Sequence, residues 1–391
     1  MKKLFFTTFC MIAIFGLHAQ NGIQAVLQQI EQNSPALKSL NSYLEAEKAG
    51  NKTGLYPDNP EAGIGYLWGN PAMIGKRHDI NVTQSFDFPT AYLYRSQMAG
   101  IKNRQSEWLF QKKRKELLLE AKLACIDLVW CNRQLAETSR RLGQAGRIAS
   151  AYQTRFNAGE TALPDVNRAK LDEMNVRQEL KHLETGRKSL LTLLAGMNGG
   201  IPLELKDTLF PAAVIPADFE AWYSQAEGRH PQLQWLQQES ELSRKEIGLA
   251  TSLALPGFNA GYMSEKITGE QFSGITAGIT IPLWAGKNQV KQARLKNLAA
   301  VEAGAAGKIS IKHELRAKYD QAVELRSILE DYRNNLLTLD NSAMALKALE
   351  LGDISLIEYL MELSIWYNSR AKALDLEREL HKVMAELEQY N

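Results

Sequence analysis

The chain has 391 residues, enough for two or three ordinary domains. With 45% hydrophobic and 23% charged residues and a formal net charge of +2, it lacks the clustered basic surplus of a nucleic-acid binder. Its basic run, Lys112-Lys113-Arg114-Lys115, is too short for an interaction tail and reads as a solvated helix face.

Residues 1–19 read as a cleaved secretory signal. Lys2 and Lys3 form the basic start, Leu4 to Leu17 the apolar core, and Leu17-His18-Ala19 the cleavage site. Cys10 follows Thr8-Phe9 rather than a small residue, so no lipidation is predicted. The exported chain keeps Cys125 and Cys131, on different faces of one predicted helix, where neither a disulfide nor a metal pair is expected. No other stretch reaches 18 uninterrupted apolar residues. That leaves a protein soluble outside the inner membrane, or a β-barrel in an outer one.

Residues 22–52 read as helix interrupted at Asn33-Ser34-Pro35, with Ser34 as N-cap and Pro35 at the first helical position. Arg229-His230-Pro231 is the counterpart in the second half. A strand pair follows in each half, 61–69 with 78–88 and 257–266 with 272–283. In the first, Ile80, Val82, Gln84, Phe86 and Phe88 alternate with Asp79, Asn81, Thr83, Ser85 and Asp87. In the second, Ile275, Ala277, Ile279 and Ile281 alternate with Gly274, Thr276, Gly278 and Thr280. This pattern fits a membrane barrel, and equally a soluble hairpin with one face on a core. In a barrel, Tyr66, Trp68, Phe86, Phe88, Tyr262 and Trp284 would supply interfacial aromatics, and several chains would have to contribute strands. Pro89 and Pro282 mark the strand ends.

Long helices are predicted over 90–157 and 286–350, each on the order of 95 Å at about 1.5 Å per residue. Leu117, Ala121, Ala124, Leu128, Cys131, Leu135, Thr138, Leu142, Ala145, Ala149, Tyr152 and Phe156 recur at alternating spacings of four and three. Ala322, Leu325, Leu329, Tyr332, Leu336, Leu339, Ala343 and Leu346 do the same, and both sets are heptad seams. Return helices are predicted over 161–196 and 354–389, with a Gly- and Pro-rich linker at 197–217.

Each long helix runs into a glycine, Gly159 or Gly352, with a carboxylate six residues later, Asp165 or Glu358. The glycines suit left-handed helix ends, so each site reads as a hairpin tip. Acids there are ordinary in a first helical turn, where the macrodipole favours them. Their duplication points beyond that. Gly159 and Gly352 are 193 residues apart, as are Pro89 and Pro282, which marks an internal repeat: 20–196 and 218–391 around the linker.

The order of these features, with Phe88-Pro89, Ile281-Pro282, the tip Arg155-Phe156-Asn157-Ala158-Gly159 through Asp165-Val166 and the tip Leu351-Gly352 through Glu358, resembles the TolC-like outer-membrane efflux proteins. The resemblance spans the mature chain. It implies a homotrimer with four strands per chain in one 12-stranded barrel, long hairpins forming an α-barrel across the periplasm, and no cofactor. It further implies a constriction lined by Asp165 and Glu358, and adaptor docking on Ala158, Gly159, Glu160, Leu351, Gly352 and Asp353. The partners implied are a periplasmic adaptor, an inner-membrane pump of the resistance-nodulation-division type and outer-membrane lipid. The chain departs from the family at Met361, where some members carry a second acid, and at Ile354, where a basic residue occurs in others. Val82 to Thr90 looks most like the branch that serves heavy-metal pumps, with channels for organic compounds or secreted proteins as the alternative. His78, His182, His230, His313 and His381 are scattered and make no metal spacing. No nucleophile elbow, phosphate loop or zinc motif is present in the sequence, and no enzyme activity is expected. A periplasmic coiled-coil adaptor, the rival of a different class, should contain a single hairpin.

Overall fold

The structure, a computed structural model, describes residues 22–284 and 286–390. The predicted signal segment and Cys10 lie outside the described residues. The first half runs α1 (Gly22–Asn33), α2 (Pro35–Gly50), β1 (Glu61–Trp68), β2 (Lys76–Phe86), α3 (Pro89–Asn157) and α4 (Leu163–Met197). The second runs α5 (Phe219–Arg229), α6 (Pro231–Leu253), β3 (Gly257–Ile267), β4 (Glu270–Thr280), α7 (Gln289–Thr338), α8 (Ser342–Leu351) and α9 (Leu356–Glu388). The same order of elements therefore occurs twice, with the second long helix divided into α7 and α8. Among the described residues the compact units do not follow the repeats: one comprises 22–34, 120–213 and 332–381, the other 35–119, 214–331 and 382–390, so each draws on both halves.

The second unit holds one antiparallel sheet, β1-β2-β3-β4, with the two hairpins joined at the β2–β3 pair. The register puts Ile64 beside Ile80, Val82 beside Tyr262 and Tyr262 beside Ile275, so apolar positions share one face across all four strands. β2 and β4 begin and end earlier than the alternation suggests, at Lys76 and Phe86 and at Glu270 and Thr280, while β1 and β3 keep their expected starts. Beyond Phe86 the Asp87 N–H is taken by the Tyr92 hydroxyl at 2.9 Å instead of a strand partner. Pro89 and Pro282 lack the N–H that a ladder needs. Pro89 opens α3, and Pro282 lies in the segment before α7.

In the first unit the α3 seam is buried at Ala121, Ala124, Leu128, Cys131, Thr138, Ala145, Ala149 and Tyr152. Leu128 is fully buried, and its truncation to Ala should cost about 2–5 kcal/mol. Cys125 and Cys131 are free and buried, and burial pushes the Cys125 thiol up to about 12. The linker is held against helices. Asn132 Nδ2 donates to the Leu205 and Asp207 carbonyls at 2.9 and 3.1 Å, while Arg187 Nε donates to Asn132 Oδ1 at 2.8 Å. Leu203 and Leu205 of the linker are buried. Glu377 on α9 is also buried, and receives Arg133 at 3.1 Å and Arg333 at 2.7 Å.

The second long helix is not continuous over 286–350. α7 ends at Thr338, and α8 starts at Ser342. Asp340 Oδ1 accepts from the Ser342 N–H at 3.1 Å and from its hydroxyl at 2.6 Å, a local turn that competes with helical pairing. The break resets the seam. Ala322, Leu325 and Leu329 are buried as the heptad requires, but Leu339 is 63% exposed, and past the break Ala345 and Leu349 are the buried positions.

Candidate constriction at the two hairpin tips

Both tips lie in the first unit, each built from a helix end, a short turn and a helix start. At the first, Gly159 has φ +77° and Glu160 N donates to the Arg155 carbonyl at 2.8 Å. At the second, Gly352 has φ +81° and Asp353 N donates to the Ala348 carbonyl at 2.9 Å. Both are the six-to-one closure that a left-handed residue permits at a helix C-terminus. A Cβ at either glycine would meet nothing, so backbone conformation and not space selects glycine there.

The helix starts differ. α4 begins without a side-chain cap on Ala162; Pro164 occupies its first turn, and Asp165 N donates to the Ala162 carbonyl at 3.1 Å. Asp165 is half-buried, with Arg168 Nη1 on its Oδ1 at 3.0 Å and the Thr161 hydroxyl on its Oδ2 at 3.4 Å. Glu358 is exposed and belongs to a reciprocal cap. Its Oε2 accepts from both the N–H and the hydroxyl of Ser355 at 2.8 Å, and its own N–H donates to the Ser355 hydroxyl at 3.3 Å. The Ser355 N–H foremost, then its hydroxyl, holds the Glu358 carboxyl below the usual glutamate value. Ser355-Leu356-Ile357-Glu358 is a capping box legible from the sequence spacing alone, and the sequence reading missed it. Each acid is thus held by its own helix start.

Ala158, Gly159, Glu160, Leu351, Gly352 and Asp353 are all exposed. Behind them Ala149, Tyr152, Val166 and Ala169 pack with Ala345, Leu349, Leu356, Tyr359 and Leu363 into one core drawn from both hairpins. Ile354 packs against this core, which explains an apolar residue there. Met361 is 61% exposed. A cleft of about 380 Å³ beside this core is lined by Arg141, Gln144, Asp172, Tyr359, Met361 and Tyr367. Arg141 Nη1 reaches Glu179 at 3.3 Å, its Nη2 lies 3.8 Å from Asp172, and its guanidinium sits 4.8 Å from the Tyr367 ring centroid. Burial raises the Asp172 carboxyl, and Arg141 opposes that. Among the described residues no cluster of three or more His, Cys, Asp or Glu has metal-binding geometry.

The other predicted positions fall in the second unit. Tyr66, Trp68, Phe86 and Tyr262 line the apolar face of the sheet, all with substantial exposure. Phe88 and Trp284 lie just past the strand ends; Phe88 is half-buried with its ring 6.3 Å from Phe258, and Trp284 is 82% exposed.

No protein-family model matches the chain, and no curated protein sequence matches it. Solved structures do. The Campylobacter jejuni CmeC outer membrane channel superposes with a TM-score of 0.79 at 13% identity, covering 94% of this chain and 85% of that one. A membrane protein from Pseudomonas aeruginosa gives 0.81 at 14% identity, covering 95% and 94%. The outer membrane protein VceC from Vibrio cholerae gives 0.76 at 15% identity, covering 94% and 95%. The chain therefore has the fold of these three proteins over nearly its whole length.

Proposed function

We propose that the chain is one subunit of a trimeric outer-membrane channel, the passive exit duct of a tripartite efflux system, and that it has no enzymatic role. The observation that carries this reading is the sheet. Its apolar face is open: Ile64 is 87% exposed, Trp68 75%, Ile275 88% and Ile279 64%. A soluble hairpin would cover such a face, whereas a lipid-facing barrel needs it bare. The opposite face carries Gly63, Asn81, Thr83, Asn259, Gly261 and Thr276, small or polar as a water-filled lumen requires, together with Leu67, Met263 and Phe272. Within the chain β1 and β4 each pair on one side only. Three copies joined edge to edge satisfy both edges and make a 12-stranded barrel.

In this reading the helices extend into the periplasm and the two tips of three chains form the closed end. Asp165 and Glu358 then become rings of carboxylates that favour cations. The exposed residues from Ala158 to Glu160 and Leu351 to Asp353 receive a periplasmic adaptor, which couples the duct to an inner-membrane pump. For cargo we favour heavy-metal cations, on the resemblance of Val82 to Thr90; a duct need not bind what it passes.

Cell fractionation followed by electrophoresis without boiling tests the channel reading. An outer-membrane oligomer that resists detergent until heated is expected; a soluble periplasmic monomer would overturn it. Growth of a deletion strain on copper, silver, zinc, cobalt and cadmium salts, beside dyes, detergents and antibiotics, tests the cargo. Sensitivity to organic compounds with normal metal tolerance would sink the metal assignment and leave the channel standing.

A further inference from the structure

The apolar face of the sheet carries its charge at one end. Register places Lys76 and His78 of β2 and Lys266 of β3 on the same face as Ile64, Ile80, Val82 and Tyr262. All three are exposed and close to the β1–β2 and β3–β4 turns. The carboxylates of the strands, Glu61, Asp79, Glu265 and Glu270, fall on the opposite face, where Arg77 pairs with Asp79 at 2.7 Å and Glu265 at 3.1 Å. The basic side chains of the apolar face therefore share it with no strand carboxylate. His78 and Lys266 stand directly across from one another, two basic side chains in one cross-strand pair.

Aromatic rings frame these groups. Lys76 Nζ is 5.7 Å from the Tyr66 ring centroid, and Tyr66 meets Trp68 and His78 edge-on at 5.0 and 4.6 Å. Along β2, Lys76 and Phe86 are separated by about 33 Å at about 3.3 Å per residue, or about 25 Å across a bilayer for a strand tilted about 40°. That is the height of a barrel's apolar band, so the basic groups would stand at one rim among the interfacial aromatics.

We propose that Lys76, His78 and Lys266 form a binding site for a phosphate-bearing lipid headgroup in the leaflet at the turn end of the sheet. The proposal rests on the membrane-barrel reading above. Two lysine ammonium groups and an imidazole on an apolar wall complement a phosphate whose acyl chains lie along Ile64, Ile80 and Ile275. Charge and apolar contact then act on a single molecule, which a free anion could not exploit.

The test uses the intact oligomer in phosphatidylcholine vesicles containing spin-labelled phosphatidic acid or spin-labelled phosphatidylcholine. Electron paramagnetic resonance gives the fraction of each lipid immobilised on the protein. The wild type should prefer phosphatidic acid several-fold, on the order of fivefold per lysine engaged. K76Q/K266Q should bring the ratio close to one while immobilising as much phosphatidylcholine as the wild type, and K76R/K266R should retain the preference. Equal immobilisation of both lipids by the wild type would overturn the headgroup site and leave the barrel intact. No immobilisation of either lipid would overturn the barrel reading and this site with it. Loss of the preference on adding inorganic phosphate at matched ionic strength would mark a free-anion site and overturn the lipid assignment.

Discussion

Gln144 on α3 donates through Nε2 to the Tyr359 hydroxyl on α9 at 2.5 Å, and Tyr359 has no exposed surface. Tyr367 adds its hydroxyl to Gln144 Oε1 at 3.4 Å. A single amide thus joins the two hairpins just behind their tips. Tyr359→Phe keeps the ring and removes the acceptor, which should cost about 1 kcal/mol. In lipid bilayers it should raise the open probability about fivefold if the bond exists only in the closed state. A variant with a lowered melting temperature but unchanged opening would show that the bond persists in the open tip. Burial first, then the nearby Tyr367, pushes the Tyr359 hydroxyl up to about 12. Because the folded value lies above the ordinary one of about 10, the corresponding stability is complete below about pH 10 and is lost as pH rises towards about 12. Alkaline unfolding curves of wild type and Tyr359→Phe should diverge in that window.

The Glu358 cap gives the opposite sign. Its carboxyl is held below the unfolded value by the Ser355 N–H and hydroxyl. The stabilisation is therefore present above the ordinary glutamate value of about 4.3 and lost as pH falls through the lower folded one. Protection of the first α9 amides, measured as the exchange rate relative to the intrinsic rate at each pH, should fall on acidification in the wild type, and be low already at neutral pH in Glu358→Ala. Glu358→Gln separates cap from charge, since an amide can still accept in a capping box. Combined with Asp165→Asn, it should reduce cation preference in reversal-potential measurements without loosening the tip. Unchanged selectivity would remove the acidic rings from the mechanism.

Asp340→Ala tests the helix break. Without its carboxylate, Ser342 loses both hydrogen bonds that hold the turn. Losing a cap of this kind costs about 1 kcal/mol, and the competing helical conformation becomes more favourable. Amide exchange at 339–343 should then slow as α7 and α8 merge. Faster exchange there would mean that the break is imposed by packing and not by the local turn.

What could be read from the sequence follows from the range of the forces involved. The α3 seam was legible because burial along one helix repeats at a fixed period, and Ala121, Ala124, Leu128, Cys131, Thr138, Ala145, Ala149 and Tyr152 obey it, while Leu135 and Leu142 are half-buried and Phe156 is exposed. The second seam misled past Leu336, because one carboxylate two residues before Ser342 redirected the backbone while leaving the apolar spacing intact. The tip glycines announced themselves because only a left-handed residue closes those turns. The pairing of Asp165 with Arg168 is also local, three residues apart, yet helix-face charges are too common to single it out. The link from Gln144 to Tyr359 spans 215 residues, and no single-sequence pattern encodes a contact of that range.

The seam between the repeats in the sheet supplies the last prediction. A Cβ on Gly261 of β3 would lie 2.5 Å from the Val82 carbonyl oxygen of β2 and 2.9 Å from the Thr276 hydroxyl of β4. The first contact is with backbone that cannot swing aside, so Gly261→Ala must spread the β2–β3 pair that joins one repeat to the other. Gly63 and Gly278 make useful comparisons. An added Cβ at either would meet the side chain of Asn81 or Asn259, which can turn away. Gly261→Ala should therefore weaken the proposed heat-resistant oligomer, while Gly63→Ala and Gly278→Ala should leave it near wild type. The gel assay without boiling, run across a temperature series, ranks the three. Equal behaviour would mean that the β2–β3 ladder yields by a few tenths of an ångström at no cost, and that the join between the repeats is looser than its register implies.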